Sequence, residues 1–271
     1  MQPFAPDLAA YFNRISFSGK GDASLDTLRE IQRRHLLAVP FENLDVIAGK
    51  PIPLDGASLE RKLVHERRGG YCFENNSYLI LVLRALGFSV TPHLARVRWK
   101  VPAGATVPRA HLVLSVEADG HPWLFDVGFG GLGLNDVIAL DSEEGQPTHD
   151  GQRRIQKSRH GLIHQIRAGE AWADVYEISA EPAIPIDWEV ANWFTSTHPQ
   201  SRFRNNLVVA RSSPEGRCAI LNRELTVRRG DSLERRALGG PDELLACLRE
   251  YFGLSFPPGT RFGQPGGPWP A

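Results

Sequence analysis

Apolar positions in the first third of the chain recur at helical spacing. Leu8, Tyr11, Phe12 and Ile15 make one stripe; Leu25, Leu28, Ile31 and Leu36 make a second that must stop before Pro40. "SLERKLVHERRGG" (58–70) predicts a third helix, with Ser58 as its cap, Leu59 and Leu63 on one face, basic residues in the last turn and a glycine stop. A fourth opens at Cys72 and carries Phe73, Ser77, Ile80, Leu81 and Arg84 as far as Gly87. The period then changes. "SVTPHLARVRW" (89–99), "AHLVLSVEADGHPWLFDVGFG" (110–130), "GLIHQIRAG" (161–169) and "AWADVYEIS" (171–179) are short, rich in β-formers and punctuated by Gly, Pro and Asp-Gly. They predict an antiparallel sheet or small barrel. From about residue 187, "DWEVANWFTSTHP" leads into the strand-like "NNLVVARS", "RCAILN" and "ELTVRRG". "PDELLACLREYF" (241–252) is a last helix, with Pro near its first position and Gly253 past its end. The tail "FPPGTRFGQPGGPWPA" (256–271) reads as irregular, and no repeat or long linker divides the chain.

The 271 residues are 42% hydrophobic and 23% charged, an ordinary globular composition that can bury a substantial core built from two or three substructures. Formal net charge is zero, and the arginines are interleaved with acids. Neither nucleic acid nor a membrane surface is expected as a partner. "MQPFAPDLAAYF" lacks a basic region followed by an apolar run, so no signal peptide is expected. "YLILVLRALGF" is short and contains Arg84, which argues against a membrane span. Cys72, Cys218 and Cys247 form no CxxC pair. Free thiols in a reducing cytoplasm fit best.

Of the three cysteines, Cys218 in "RCAIL" and Cys247 on the apolar side of the last helix read as small packed hydrophobes. Cys72 differs. It follows Gly69-Gly70 in the first turn of a helix, where unpaired backbone N–H groups and the dipole stabilise negative charge, and Arg67 and Arg68 add to it. The glycines would let a substrate approach the backbone. Packing and nucleophilic chemistry both remain open from this context alone.

A nucleophilic cysteine needs an imidazole, and the imidazole an orienting acceptor. Asp119-Gly120 is a hairpin signal between "AHLVLSV" and "WLFDVGF". Facing residues then sum to 239, or to 237 if the loop shifts by one residue. Either odd sum places His111, Ser115 and Asp126 on one polar face, and sets Leu112, Leu114, Val116, Trp123, Phe125 and Val127 together on an oily one. The alternative is an ordinary surface His–Asp pair. Gly128, Gly130, Gly131 and Gly133 follow at once. They lack the Lys-Ser/Thr ending of a P-loop and any strand–GxGxxG–helix context. Bare backbone there could hold an extended amide-containing ligand, or could simply make a bulged turn. Cys72, His111 and Asp126 could in principle ligate zinc, but no fourth ligand stands at recognisable spacing, so no metal is expected.

"VPFENLD" (39–45), "RRGGYCFENN" (67–76), "AHLVLSV" (110–116), "FDVGFGG" (125–131) and "STHPQSRF" (196–203) together resemble the arylamine N-acetyltransferase family in order and spacing. The resemblance runs through most of the chain and is weakest in the last third. It implies an α+β fold with a papain-like cysteine-enzyme core: a helical bundle (1–88), an antiparallel β-barrel carrying His and Asp (89–196), and an α/β lid with an irregular tail (197–271). It implies a triad of Cys72 as nucleophile, His111 as base and Asp126 as orienter. It implies acetyl-CoA as donor and primary arylamines, arylhydrazines or hydrazides as acceptors, in a xenobiotic role. Phe41, Phe129 and Phe203 match acceptor-pocket aromatics; Gly128, Gly130 and Gly131 match the stretch that meets the pantetheine arm of CoA. Arg68 and Glu42 match a buried pair that supports the cysteine loop. Ala110 departs from the polar hydroxyl residue found there in many relatives. An amide synthase of natural-product biosynthesis, a cysteine hydrolase and a transglutaminase-like enzyme are the alternatives. Subunit number is open, a homo-oligomer included.

Overall fold

The computed structural model describes residues 4–102 and 104–263. Its elements are α1 (Leu8–Ile15), α2 (Leu25–Ala38), β1 (Phe41–Glu42), α3 (Leu44–Ile47), α4 (Gly56–Glu60), α5 (Cys72–Ala85), β2 (Ser89–Val97), β3 (His111–Ala118), β4 (His121–Phe125), β5 (Ile138–Ala139), β6 (Gln146–Thr148), β7 (Gly151–Ser158), β8 (Gly161–Ala168), β9 (Ala171–Ser179), α6 (Pro185–Thr197), α7 (Arg202–Asn205), β10 (Val208–Ser213), β11 (Gly216–Leu221), β12 (Glu224–Arg229), β13 (Ser232–Ala237) and α8 (Pro241–Phe252).

The helical stripes fold as their spacing predicts. Asp7 and Ser24 cap α1 and α2, and Val39 ends α2 in extended conformation because Pro40 follows. The third helix corrects the expectation. Asp55, not Ser58, is its cap: the Asp55 carboxylate accepts the Ser58 N–H at 2.9 Å, so the helix starts three residues earlier. It then widens into a π-helical turn, Arg61–His65. The "DWEVANWFTSTHP" segment, which sequence left without a type, is helix α6, with Pro185 in its first turn. β7 and the edge strand β13 were not anticipated. The described part of the tail, to residue 263, contains neither helix nor strand; residues 264–271 lie outside the described residues.

The strands make two antiparallel sheets. One has the order β1-β10-β11-β12-β13, backed by α8. The other runs β5-β4-β3-β2-β9-β8-β7-β6 and curls on itself. Its two ends meet through Gln146, whose side-chain amide accepts the Ala139 N–H at 2.7 Å and donates to the Ala139 carbonyl at 3.0 Å. A side chain thus imitates a strand and closes the barrel. Ala118 faces His121 and Leu114 faces Phe125, so the hairpin takes the sum of 239.

The oily face forms as expected: Leu112, Leu114, Val116, Phe125 and Val127 pack on the helices. The opposite face is not polar, however. His111, Val113 and Leu124 are buried there because the closing barrel turns that face inward, against Ala95, Val175 and Tyr176. Among the described residues no helix is long and apolar enough to cross a membrane.

Candidate active site

Cys72 opens α5, whose neighbours Tyr71 to Ile80 are all buried. The loop before it is held by close packing. A Cβ on Gly69 would lie 2.0 Å from the Pro40 carbonyl oxygen, and one on Gly70 2.7 Å from Glu74 Cβ. The two glycines therefore let the loop touch its own support, instead of leaving room for a substrate as the sequence suggested. Gly70 also bridges to Phe41 in β1, and the Gly70 carbonyl accepts from Glu42 N–H at 3.0 Å.

Beneath this loop lies a buried network of charges. Arg68 pairs with Glu42 at 2.6 Å and Asp45 at 3.3 Å, as the resemblance implied for its first partner. Lys62 joins Asp45 at 2.7 Å and Glu74 at 2.6 Å. Glu74 in turn accepts the Tyr71 N–H at 3.1 Å, which fixes the first turn of the cysteine helix. Burial pushes the Glu74 carboxyl up; Lys62 opposes the shift and Glu42 adds to it. Arg14, almost wholly buried, donates to the carbonyls of Leu63 at 3.0 Å and Ala38 at 2.8 Å. Phe256 of the tail lies under the Arg68 guanidinium at 4.8 Å.

His111 and Asp126 meet as the hairpin arithmetic predicts. Nε2 of His111 donates to Asp126 Oδ2 at 2.8 Å. Asp126 Oδ1 also accepts from Asn76 Nδ2 at 3.0 Å and Gly128 N–H at 2.8 Å. Burial opposes charge on both partners. It is overridden by their mutual attraction, so the Asp126 carboxyl is held below the usual range and the His111 imidazole is pushed up to about 10. A hydrogen bond and charge interaction with Cys72 add to the rise. With Nε2 committed to the carboxylate, Nδ1 is the nitrogen available to the sulfur.

Cys72 Sγ is 3.8 Å from the Ala110 carbonyl oxygen. Cys72 is 2% exposed and His111 3%, so both are buried away from bulk water. Cys218 lies in β11 and Cys247 in α8, both unpaired. Among the described residues no group of three or more His, Cys, Asp or Glu is placed to hold a metal.

The aromatics divide. Phe41 and Phe203 stand 5.8 Å apart, and Tyr71 is 5.9 Å from Phe203. Phe129 is partly buried with its ring edge-on to His111 at 5.2 Å and 5.3 Å from Tyr176. The glycines divide too. A Cβ on Gly128 would meet Cys72 and Asn76 below 3 Å, one on Gly130 would meet the Phe41 ring at 3.2 Å, and one on Gly131 would meet nothing.

A family model described as N-acetyltransferase matches residues 24–259, most of the chain. The arylamine N-acetyltransferase of Mycobacterium tuberculosis strain H37Rv is 36% identical over 255 residues, covering 93% of this chain and 90% of the relative. The chain belongs to the arylamine N-acetyltransferase family. Another arylamine N-acetyltransferase, that of Escherichia coli K12, is 38% identical over 251 residues, 92% of this chain and 89% of the relative. The solved Mycobacterium marinum arylamine N-acetyltransferase in complex with CoA superposes with a TM-score of 0.87 at 35% identity, covering 91% of this chain and 92% of that one. As an arylamine N-acetyltransferase family member, this chain is an acyltransferase.

Sequence reasoning missed Asn76, whose amide bonds Asp126 and the Leu112 carbonyl. Its signal was present: Asn76 stands four residues after Cys72, on the same helix face. Gln32, which accepts the Asp126 N–H at 3.1 Å, and Tyr176 come from distant segments and left no local signal.

Proposed function

We propose that this protein transfers an acetyl group from acetyl-CoA to the nitrogen of a primary arylamine, arylhydrazine or hydrazide, through an acetyl-cysteine at Cys72. The observation that carries the reading is the buried 2.8 Å His111–Asp126 bond beside a cysteine at a helix N-terminus. His111 Nδ1 takes the Sγ proton. The thiolate attacks the thioester carbonyl, a new S–C bond forms, and the C–S bond to CoA breaks as CoA leaves with the proton from His111.

Two N–H groups must meet the oxyanion. Gly128 N–H already donates to Asp126, so it is not one of them. The Cys72 N–H and an N–H in the Phe129–Gly131 stretch are the donors we assign. Acetylation then removes the contribution of the thiol to the raised His111 basicity. The neutral form of the imidazole accepts the amine proton as the N–C bond forms and Cys72 leaves. Aromatic amines suit this step because they are unprotonated at neutral pH. Phe41, Phe129 and Phe203 form the acceptor wall, and Gly130 and Gly131 the donor side. Three unpaired thiols support a reducing cytoplasm as the setting, and arylamine acceptors support a role on xenobiotic substrates.

Mass spectrometry of the enzyme mixed with acetyl-CoA alone should find one acetyl group on Cys72, discharged by an arylamine. A Cys72→Ala protein that turned over at the normal rate would refute the mechanism.

A further inference from the structure

Three consecutive carbonyls a few residues past Asp126, those of Gly131, Leu132 and Gly133, all accept from arginines. Arg153 on β7 is fully buried, and its Nη2 donates to the Gly133 carbonyl at 3.0 Å and to the Leu132 carbonyl at 3.3 Å. Arg217 on β11, in the other sheet, donates through Nη1 to the Gly131 carbonyl. One carboxylate joins the two arginines. Asp150, in the turn between β6 and β7, accepts Arg153 Nε on Oδ1 at 3.3 Å. Its Oδ2 accepts both Arg153 Nη2 and Arg217 Nη2, each at 2.8 Å. Burial opposes charge on Asp150, but the two guanidiniums hold its carboxyl below the usual range.

The carbonyls belong to a turn that needs such a hold. Gly133 N–H donates to the Gly130 carbonyl at 2.8 Å and closes the turn, with Gly130 at φ +83°. On the near side the chain is fixed by contact: Gly128 packs on Cys72, and Gly130 on the Phe41 ring. Contact then stops. Gly131 is exposed, and a Cβ there would meet nothing within 4 Å. Unpacked glycine backbone is the freest there is. A guanidinium only donates and a carbonyl only accepts, so each of the three arginine contacts has a single sense. A trans peptide is planar, with its N–H directed opposite to its C=O, so holding the carbonyls holds the amides between them.

We infer that Arg153 and Arg217, coupled through Asp150, are positioning residues that preset the Phe129–Gly131 amides for the oxyanion of acetyl transfer. The inference rests on the acetyl-transfer reading, and names what keeps its second oxyanion donor in place. Such a donor is effective because it is already aimed at the charge that develops; one that must first reorient loses much of the stabilisation it gives. Packing aims the near half of the stretch, at Gly128 and Gly130. No packing reaches the open side of Gly131, and there the arginines take over. Asp150 ties the barrel to the sheet that carries Phe41 in β1, so the turn is gripped from both sheets at once.

Arg217→Met is the deciding variant. Arg217 is 24% exposed, and its loss leaves Asp150 paired with Arg153, so the fold should be retained. Quenched mass spectrometry follows three modifications of Cys72: acetylation by acetyl-CoA, acetylation by p-nitrophenyl acetate, and alkylation by iodoacetamide. Both acetylations pass through an oxyanion, which collapses with loss of the CoA thiol in one and of p-nitrophenolate in the other. Alkylation displaces iodide at a saturated carbon and develops no oxyanion. At saturating donor both acetylations should slow roughly 10- to 100-fold, with the half-saturating acetyl-CoA concentration and the alkylation rate each changed less than about twofold. Arg217→Lys keeps a charge beside Asp150 but not the two-pronged grip, and should show the same pattern; it decides the question if Arg217→Met does not fold. Unchanged acetylation overturns the inference. So does a loss confined to acetyl-CoA, which would make Arg217 a contact for the donor, or an equal slowing of alkylation, which would make the effect a general one on the thiol. Accumulation of acetyl-Cys72 in the unmodified protein checks the underlying reading separately; if none forms, that reading fails before the inference is reached.

Discussion

Replacing Gly128 by alanine separates two reasons for a glycine beside the catalytic pair: contact with the donor, or contact with the helix of the nucleophile. The added Cβ would lie 2.6 Å from Cys72 Cα, 2.8 Å from Asn76 Nδ2 and 3.0 Å from Cys72 Cβ. Ordinary contact begins at 3.4 Å, so the nearest atom is 0.8 Å (3.4 − 2.6) too close. That atom is backbone and cannot rotate away. Nor can α5 retreat freely, because every residue from Tyr71 to Ile80 is buried. Overpacking of this kind costs about 1–3 kcal/mol. At 2–4 °C per kcal/mol for a chain of this size, Tm should fall by roughly 2–12 °C. A displacement approaching 1 Å at the sulfur should slow acetylation of Cys72 on the order of 100-fold.

Differential scanning fluorimetry reads the first effect and the rate of Cys72 acetylation by mass spectrometry the second. Gly131→Ala is the internal control, since its Cβ meets nothing within 4 Å. It should leave Tm unchanged and alter only the KM for the donor. If Gly128→Ala keeps both its Tm and its acetylation rate within twofold, the close approach is not the constraint and the argument fails.

Asp126→Asn should fold and lose about 10⁴-fold in turnover, because an amide facing His111 Nε2 selects the wrong tautomer; activity within tenfold of normal would remove Asp126 from the triad. Lys62→Met leaves the Glu74 and Asp45 carboxylates without their ammonium and should destabilise the fold by about 3–5 kcal/mol in urea at pH 7. The loss should shrink toward acid pH, where the already raised Glu74 carboxyl takes up a proton; an equal loss at both pH values would contradict that. The His111–Asp126 pair makes its own pH window. The raised imidazole contributes stability in full below its ordinary 6.5, and that contribution fades as pH rises through about 10. The depressed carboxyl contributes above its ordinary 3.8 and loses it as pH falls further. The Tm difference between the protein and its His111→Gln variant should therefore be largest between about pH 4 and 6.5; a flat difference would count against the pair.

What the sequence made legible was local. Helical stripes ending at Pro40 and Gly87, an Asp-Gly turn, and the two-residue alternation of the hairpin each depend on neighbours within a few positions. They were enough to bring His111 to Asp126 and to put Cys72 at a helix start. What was illegible depends on closure. The inner face of β3 looked like a polar, outward one because His111 and Ser115 alternate with apolar residues. Only the curling of the sheet, completed by the Gln146 amide on Ala139, turns it inward. The role of Gly69-Gly70 was misread for a related reason. Both contacts that demand glycine come from elsewhere in the fold or from the next helical turn, namely the Pro40 carbonyl and Glu74. The strand-like alternation of β13 was hidden by Glu234, Arg235 and Arg236, the charges that suit an exposed edge.

The carboxylate, more than the sulfur, is where the fold converges. Asp126 is approached by His111 from β3, by Asn76 from the cysteine helix, by Gly128 from its own turn, and at its backbone by Gln32 from α2. Asn76 is also tied to Val127 N–H and the Leu112 carbonyl, so the hairpin and α5 are joined by one amide that touches both strands. The thiol stands on a helix and the imidazole on a hairpin, and the relative placement of the two elements must be set to a fraction of an ångström. A buried anion that three donors must reach supplies that precision, because losing any one of them leaves charge uncompensated in a medium that screens it poorly. The same demand ties the reaction to stability: whatever loosens the packing of α2, α5 and the barrel first weakens the hold on Asp126, and through it on the proton that His111 must receive and return.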